Sequence, residues 1–298
     1  MVTVALRGGL GNQMFQYALG SDLAKKNGTG LALDTTFLND RFPRPGFVYR
    51  RYELGVFGIE PRLTALSKLS SRVPVPGLWL GLDLGLAKAK DILHVRRIVR
   101  ENSGRHFDPA VLSVGGDVWL WGFWQSWRYF EDIAPEVRQA FSFRHELSGA
   151  AAGLARDILK SNSVALSVRR SDYTSAANIK NFGGTDMAYY DRAIRQMTAR
   201  AGKGAPPRFF IFSDDIPWCR ENIKPPFPTV YIPQDIGWEA AMHLASLARH
   251  HIIANSTFWW WAAWLSQSPG KIVIAPRQWS RTQIADRDGI VPPDWMAL

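Results

Sequence analysis

The sequence predicts an α/β protein built from two doubly wound domains, residues 1–150 and 151–298. Two observations carry the prediction. Short apolar strands alternate with amphipathic, helix-length segments, the signature of parallel sheets with helical crossovers. That alternation lapses after the first strands and restarts near residue 150. Two sheets facing across a cleft are therefore expected, with the final residues packing back on the N-terminal domain.

The elements follow in order. Val2–Leu6 reads as a strand, Gly8-Gly9-Leu10-Gly11 as a tight turn, Asn12–Lys26 as a helix ending at Asn27-Gly28, and Leu31–Asp34 as a second strand. Asn39–Gly58 is aromatic, basic and punctuated by Pro and Gly, so it reads as loop. Arg62–Arg100 mixes leucines with bases on both sides of Val73–Gly77, which predicts helices broken by a turn. Val118–Trp124 is a strand, and Pro135–Phe141 and Ser148–Ser161 are helices.

In the second half, Val164–Val168, Arg208–Phe212, Val230–Ile232, His251–Ala254 and Lys271–Ala275 read as strands. Met187–Arg200, Trp218–Asn222, Trp238–Ala248 and Phe258–Leu265 read as the helices between them. The sequence shows no internal repeat and no low-complexity segment.

Composition excludes some classes of function. No run reaches the ~18–20 apolar residues of a membrane-spanning helix; Val118–Trp124 and Phe258–Leu265 are the richest and fall short. The first residues enter a strand without a signal-peptide pattern. A lone cysteine, Cys219, leaves no intrachain disulfide and fits a reducing compartment, so a cytoplasmic protein is expected. Cys219 itself reads as a small buried apolar residue.

The net charge of +10 is concentrated at one end: residues 1–100 carry 15 Lys and Arg against 7 Asp and Glu. Such a patch suits an anionic membrane surface or a phosphorylated substrate. Peripheral contact through residues 41–100, at the inner face of the membrane, is one expectation, and a merely soluble basic surface is the other. Nucleic acid is not expected, because no zinc, RRM or helix-turn-helix signature accompanies the charge.

Three strand ends carry the chemistry. Val164–Val168 delivers Arg169, Arg170 and Asp172 at its carboxyl end, where open α/β sheets bind ligands, and a guanidinium fork there suits an anionic oxygen. The plain alternative is a loop whose Arg and Asp pair with each other. Phe209–Phe212 ends in Ser213, Asp214 and Asp215; Asp214 reads either as a ribose or base ligand or as a helix cap.

Ile252–Ala254 ends in Asn255, Ser256 and Thr257, directly before the helix that begins at Phe258. A helix start of this kind aims its N–H groups at a diphosphate; simple capping is the alternative. The tryptophans that follow read as core rather than as a ligand platform.

In the first half, Gly8–Gln13 nearly matches a dinucleotide fingerprint, with Asp34 where a ribose-binding acid belongs. Met14 occupies the third-glycine position and argues against that reading. Gly11, Asn12 and Gln13 are instead candidates for contacting hydroxyls, with helix capping as the alternative. Histidines at metal-binding spacing are absent, and Asp286-Arg287-Asp288 reads as a solvated turn, so no metal is expected.

Taken together, these strings resemble the family-11 fucosyltransferases, the bacterial and animal α-1,2-fucosyltransferases. Gly8–Ala18 is similar to that family's Gly-Gly-Leu-Gly-Asn-Gln-Met-Phe-Gln-Tyr-Ala opening. Val168–Tyr173 resembles its His-x-Arg-Arg-Gly-Asp-Tyr motif, Ile211–Asp215 its Phe-Ser-Asp-Asp segment, and Ile252–Leu265 its Asn-Ser-Ser block. Gly122–Phe130 resembles a Gly-Tyr-Phe-Gln-Ser stretch.

The resemblance implies a GT-B fold and an inverting, metal-independent transfer of L-fucose from GDP-fucose to the 2-hydroxyl of a galactoside in a surface glycan. The acceptor is expected to be a glycan, including a lipid-linked one. By position, Arg169 supported by Arg170 would neutralise the diphosphate, and Ser213, Asp214, Asn255, Ser256, Thr257 and Phe258 would line the donor site. Gly11, Asn12 and Gln13 would face the sugar and acceptor, and Asp172 would be the base. Departures from the family pattern are Ser167 for His, Ser171 for Gly, Ala241 for an acid (with Glu239 two residues before it) and Trp259 for Ser. They bear on guanine selectivity and on the sugar pocket. The competing enzyme reading is a transferase of the same fold using another nucleotide sugar; a non-catalytic carbohydrate-binding protein is the third.

Overall fold

The computed structural model describes residues 1–44, 48–73, 75–93, 96–102, 104, 106–170, 185–202, 205–280 and 289–298. The chain divides into two compact units, Met1–Arg144 and His145–Leu298. The division falls six residues before the predicted boundary, ahead of the helix Gly149–Lys160, whose buried Ala151, Ala155 and Ile158 make its apolar face.

In the first unit, β1 (Val2–Ala5), β2 (Leu31–Asp34), β3 (Arg97–Arg100) and β4 (Val118–Trp121) form one parallel sheet in the order β2-β1-β4-β3. The strand β1 is buried throughout, which a four-residue run of Val, Thr, Val and Ala sustains only at the centre of a covered sheet. The turn after it needs Gly8, which has φ +76°, and the helix Leu10–Lys26 then returns over the sheet. Close approach comes at Gly20, where an added Cβ would lie 2.5 Å from Val4 and 2.7 Å from Leu31. Met14 is buried in the core at the position that argued against a fingerprint glycine.

Beyond β2, two helices, Ala65–Arg72 and Leu78–Ile92, flank the predicted break. The short strand β3 was not expected from the sequence, which reads Arg62–Arg100 as helices broken by a turn; its arginines at both ends suit a sheet edge, where charge discourages further pairing.

The second unit holds a six-stranded parallel sheet: β5 (Asn162–Val168), β6 (Pro207–Ser213), β7 (Thr229–Tyr231), β8 (His250–Ile252), β9 (Val273–Ala275) and β10 (Met296–Ala297), in the order β10-β9-β8-β5-β6-β7. Counted within the unit, this is the 3-2-1-4-5-6 order of a doubly wound sheet, and its topological switch point lies between β5 and β8. Residues 296–298 add the sixth strand of this sheet, and Leu298 exchanges backbone hydrogen bonds with Ala275 and Arg277.

The core of the second unit gathers Val164, Leu166 and Val168 of β5 with Phe209 and Ile211 of β6, beneath the helix Met187–Ala201. On the opposite face lies the helix Thr257–Leu265 with Trp260, Trp261 and Trp264 buried, so these tryptophans are core as the sequence suggested. Trp260 donates its indole N–H to the Ile290 carbonyl at 2.7 Å.

Candidate functional site

Three strand ends meet along the carboxyl edge of the second sheet. At the switch point, Arg169 follows β5 and Ser256 follows β8, and the Arg169 guanidinium donates to the Ser256 hydroxyl at 3.3 Å. Ser256 is the residue before the helix Thr257–Leu265, with extended φ and ψ and no side-chain cap bond of its own. The first backbone bond of that helix runs from Trp260 N–H to the Ser256 carbonyl, so the N–H groups of Thr257, Phe258 and Trp259 precede the helical ladder. A fixed guanidinium and a helix N-terminus thus share one corner of the sheet, a pairing suited to a phosphate.

The neighbouring predicted ligands are used in different ways. Asn255 is buried and donates to the Trp279 carbonyl at 3.1 Å, so it anchors the loop beneath the site. Thr257 and Phe258 are half-buried at the helix start. Arg170 bonds Asp215 at 3.1 Å, and its guanidinium lies 3.9 Å from the Trp218 ring centroid. Arg170 thus braces the β5–β6 corner through its Nε and the face of its guanidinium.

Ser213 accepts from the Asp215 N–H at 2.9 Å, and Asp215 caps the helix Ile216–Asn222 through the Trp218 N–H. Asp214 is exposed and accepts from the Arg170 N–H at 2.9 Å. It is the acid of this cluster turned to solvent at the sheet edge. Cys219 is fully buried, and its thiol is pushed up to about 11 by burial.

Ser167 belongs to the scaffold. Its hydroxyl accepts from the Ala254 N–H at 3.1 Å and reaches toward the Ile252 carbonyl at 3.5 Å, pinning β5 to the end of β8 at the switch point. Beneath it lies a void of about 10 Å³, bordered also by Phe212, His251 and Trp259. Trp259 is half-buried and packs on Phe212, with ring centroids 5.5 Å apart. Two of the departures from the family pattern, Ser167 and Trp259, therefore meet at one small cavity. His251 Nε2 is buried there without a hydrogen-bond partner, and burial pushes that imidazole down to about 3.

In the first unit the structure corrects two expectations. Gln13 does not present its amide to a ligand: it is fully buried, donates to the carbonyls of Gly8 and Arg51, and accepts from the Glu53 N–H at 2.9 Å. The half-buried Glu53 carboxyl in turn accepts from the Leu10 N–H, at the start of the helix Leu10–Lys26. Burial raises that carboxyl above its ordinary range. Glu53 went unnoticed because its partner lies 43 positions earlier in the chain, with no local signal linking them.

The Gly-rich turn thus directs its Leu10 N–H to a carboxyl of the chain itself. Asp34 is buried and accepts from Ser67, Thr36 and Trp119, which also removes it as a ribose ligand. Gly11 is buried within the same helix start. Asn12 keeps partial exposure and accepts from the Gln125 side chain at 2.8 Å. Of the three first-unit candidates, Asn12 alone combines partial exposure with a polar side chain.

Asp172, with Ser171 and Tyr173, lies outside the described residues, as do Asp286, Arg287 and Asp288. Among the described residues, no group of three His, Cys, Asp or Glu side chains is placed to hold a metal ion. His250 and His251 point to opposite faces of β8; His250 is held by Asn162 and by the Ile272 N–H.

Comparison with known proteins bears on this geometry. The model of a family described as glycosyl transferase family 11 matches residues 95–298. An alpha-1,2-colitosyltransferase of Escherichia coli is 30% identical over 305 residues, covering 100% of this chain and 99% of its own. The O-antigen biosynthesis glycosyltransferase WbnK of Escherichia coli is 28% identical and covers 92% and 93%. A galactoside alpha-(1,2)-fucosyltransferase 2 of Hylobates lar is 27% identical and covers 89% and 69%.

Proposed function

The chain belongs to glycosyl transferase family 11, and from that membership we propose that it moves L-fucose from GDP-fucose to the 2-hydroxyl of a galactoside, inverting the anomeric centre. The observation that carries the reading is the Arg169–Ser256 contact at the switch point, with the open start of the helix Thr257–Leu265 beside it. Inversion needs one displacement: the acceptor hydroxyl attacks the anomeric carbon while the bond to the nucleoside diphosphate breaks. Negative charge then builds on the diphosphate. A guanidinium and first-turn N–H groups held in place before the reaction stabilise that charge without rearrangement.

The proton of the attacking hydroxyl goes to a base. Asp172 is the proposed base, from its place in the motif after Arg169, and Asn12 is the proposed sugar or acceptor ligand of the first unit. The chemistry as proposed uses no metal, because Arg169 and the helix start supply the positive charge.

A second reading shares the fold and the leaving group but transfers a different sugar. The relative that spans this chain from end to end is named for colitose, which lacks the 3-hydroxyl of fucose. The deciding experiment is product analysis with GDP-fucose and GDP-colitose against a panel of galactosides, in the presence of EDTA. A 2-O-fucosylated product formed faster with GDP-fucose supports the proposal; preference for GDP-colitose replaces it with the second reading. Arg169→Ala is expected to lower kcat by about 10²–10³-fold, the scale of losing one fixed donor to a developing charge. Sugar binding with no turnover in the wild-type chain would point to a carbohydrate-binding protein, and loss of activity in EDTA would refute the metal-free chemistry.

A further inference from the structure

The helix Leu78–Ile92 is apolar on its outward side as well as on its inward one. Its inward side carries the buried Asp83 and Ala87 and the half-buried Leu84. Its outward side carries Leu78, Leu82, Leu86 and Ile92, with Gly81, Gly85 and Ala89 between them. At 100° per residue, these positions share one stripe along the helix. The four large side chains are 44–66% exposed, where a water-facing helix of a soluble unit normally shows charge. The stripe continues onto the preceding segment through Leu69, Val73 and Val75, all exposed.

Charge is arranged around this surface. Lys88 and Lys90 lie on its two flanks, and Lys68 and Arg72 on the neighbouring helix are also exposed. The acids of the two helices are Asp83, which is buried, and Asp91, which is half-buried and accepts from the Ile98 N–H. No acidic group therefore opposes the bases on the exposed face. Among the described residues, no helix is long and apolar enough to cross a membrane.

We infer that the helix Leu78–Ile92 lies on an anionic lipid surface, with its leucines in the headgroup–acyl boundary and its lysines against lipid phosphates. An aliphatic face flanked by lysines is the pattern of an interfacial helix. The stripe offers no hydrogen-bonding group with which to specify a protein partner. A second copy laid face to face would bring the same lysines together. The sequence assigned membrane contact to the basic residues of 41–100; the structure moves the main contact to leucines within that span and leaves the bases as its rim. The inference is independent of which sugar the site transfers.

The test is co-sedimentation of the full chain with vesicles of phosphatidylcholine, alone or with about one-third phosphatidylglycerol, at physiological salt. Binding is expected only with phosphatidylglycerol. Leu82→Glu/Leu86→Glu is expected to abolish it while keeping the thermal transition, since both side chains are exposed. Lys88→Glu/Lys90→Glu should weaken partitioning at least about tenfold, each lysine contributing on the order of a factor of five. Absence of wild-type binding would overturn the inference. So would equal binding to both vesicle types, or dimerisation in light scattering that the leucine variant abolishes. The lysine variant keeps the test open if the leucine variant fails to fold.

Discussion

Asp83→Asn is expected to make the first unit more stable in alkali and nearly unchanged in acid. The Asp83 carboxyl is buried close to the Asp34 carboxyl. Burial first, and then Asp34, push it up to about 8 from an ordinary 3.8, against a smaller opposing pull from Arg96 and Lys90. One proton is therefore retained by the folded protein and released by the unfolded chain at neutral pH. The sign follows from linkage: stability is full below about pH 4 and falls as pH rises toward 8, by about 1.4 kcal/mol per pH unit.

Between pH 5 and 8 the ceiling on that loss is about 4 kcal/mol. Asparagine is neutral as a protonated carboxyl is, but it has no proton to lose. Urea unfolding followed by circular dichroism at pH 5, 7 and 8.5 reads the effect. Wild type and variant should coincide within about 1 kcal/mol at pH 5 and diverge by about 2–4 kcal/mol at pH 8.5, the variant being the more stable. Parallel curves across this range would refute the raised Asp83 carboxyl and the proton it retains in the folded state.

Other outcomes follow from the second unit. Arg170→Ala should cost stability through the lost Asp215 and Trp218 contacts, yet reduce turnover far less than Arg169→Ala; equal kinetic losses would restore Arg170 as a phosphate ligand. Ser167→Ala leaves the buried Ala254 N–H without its acceptor and should destabilise by about 1–3 kcal/mol in thermal or chemical melts. Burial holds the His250 and His251 imidazoles down at about 4 and about 3. The unfolded chain therefore binds protons that the folded one excludes, and stability falls as pH drops below about 6.5. From pH 6.5 to 4.5 the loss reaches at most about 5 kcal/mol for the pair, and His251→Phe should recover part of it. The Cys219 thiol should react with an aromatic disulfide reagent only on unfolding; rapid labelling of the native protein would contradict its burial.

The legible parts of this fold are those written locally. The strand–turn–helix at Val2–Lys26 and the alternation from Asn162 onward show in the sequence, because each apolar run is long enough to be buried and each is followed by a turn or helix-start signal. The strand ends at Arg169, Ser213 and Ser256 were legible for the same reason. What each polar side chain does there was not. Gln13 and Arg170 sit in strings that suggest ligands, but their partners, Arg51 and Glu53 for one and Asp215 and Trp218 for the other, arrive from about 40 residues or more away. The strand β3 was missed because edge position, not composition, lets Arg-Ile-Val-Arg pair with β4. The outward leucines of Leu78–Ile92 were visible as residues, but which side of the helix meets water is decided by tertiary packing, which buries Asp83 and Ala87.

The void beneath Ser167 limits how this corner of the sheet can be re-engineered. With about 10 Å³ to spare, it holds no more than about one water. A histidine placed at 167 would enter space that Trp259 now borders, while a serine at 259 would open a hole with nothing to fill it. Each exchange alone carries the cost of overpacking or of a cavity, and the two costs cancel only when both are made together. Positions 167 and 259 are therefore expected to couple: Ser167→His should be tolerated in a Trp259→Ser background and rejected without it.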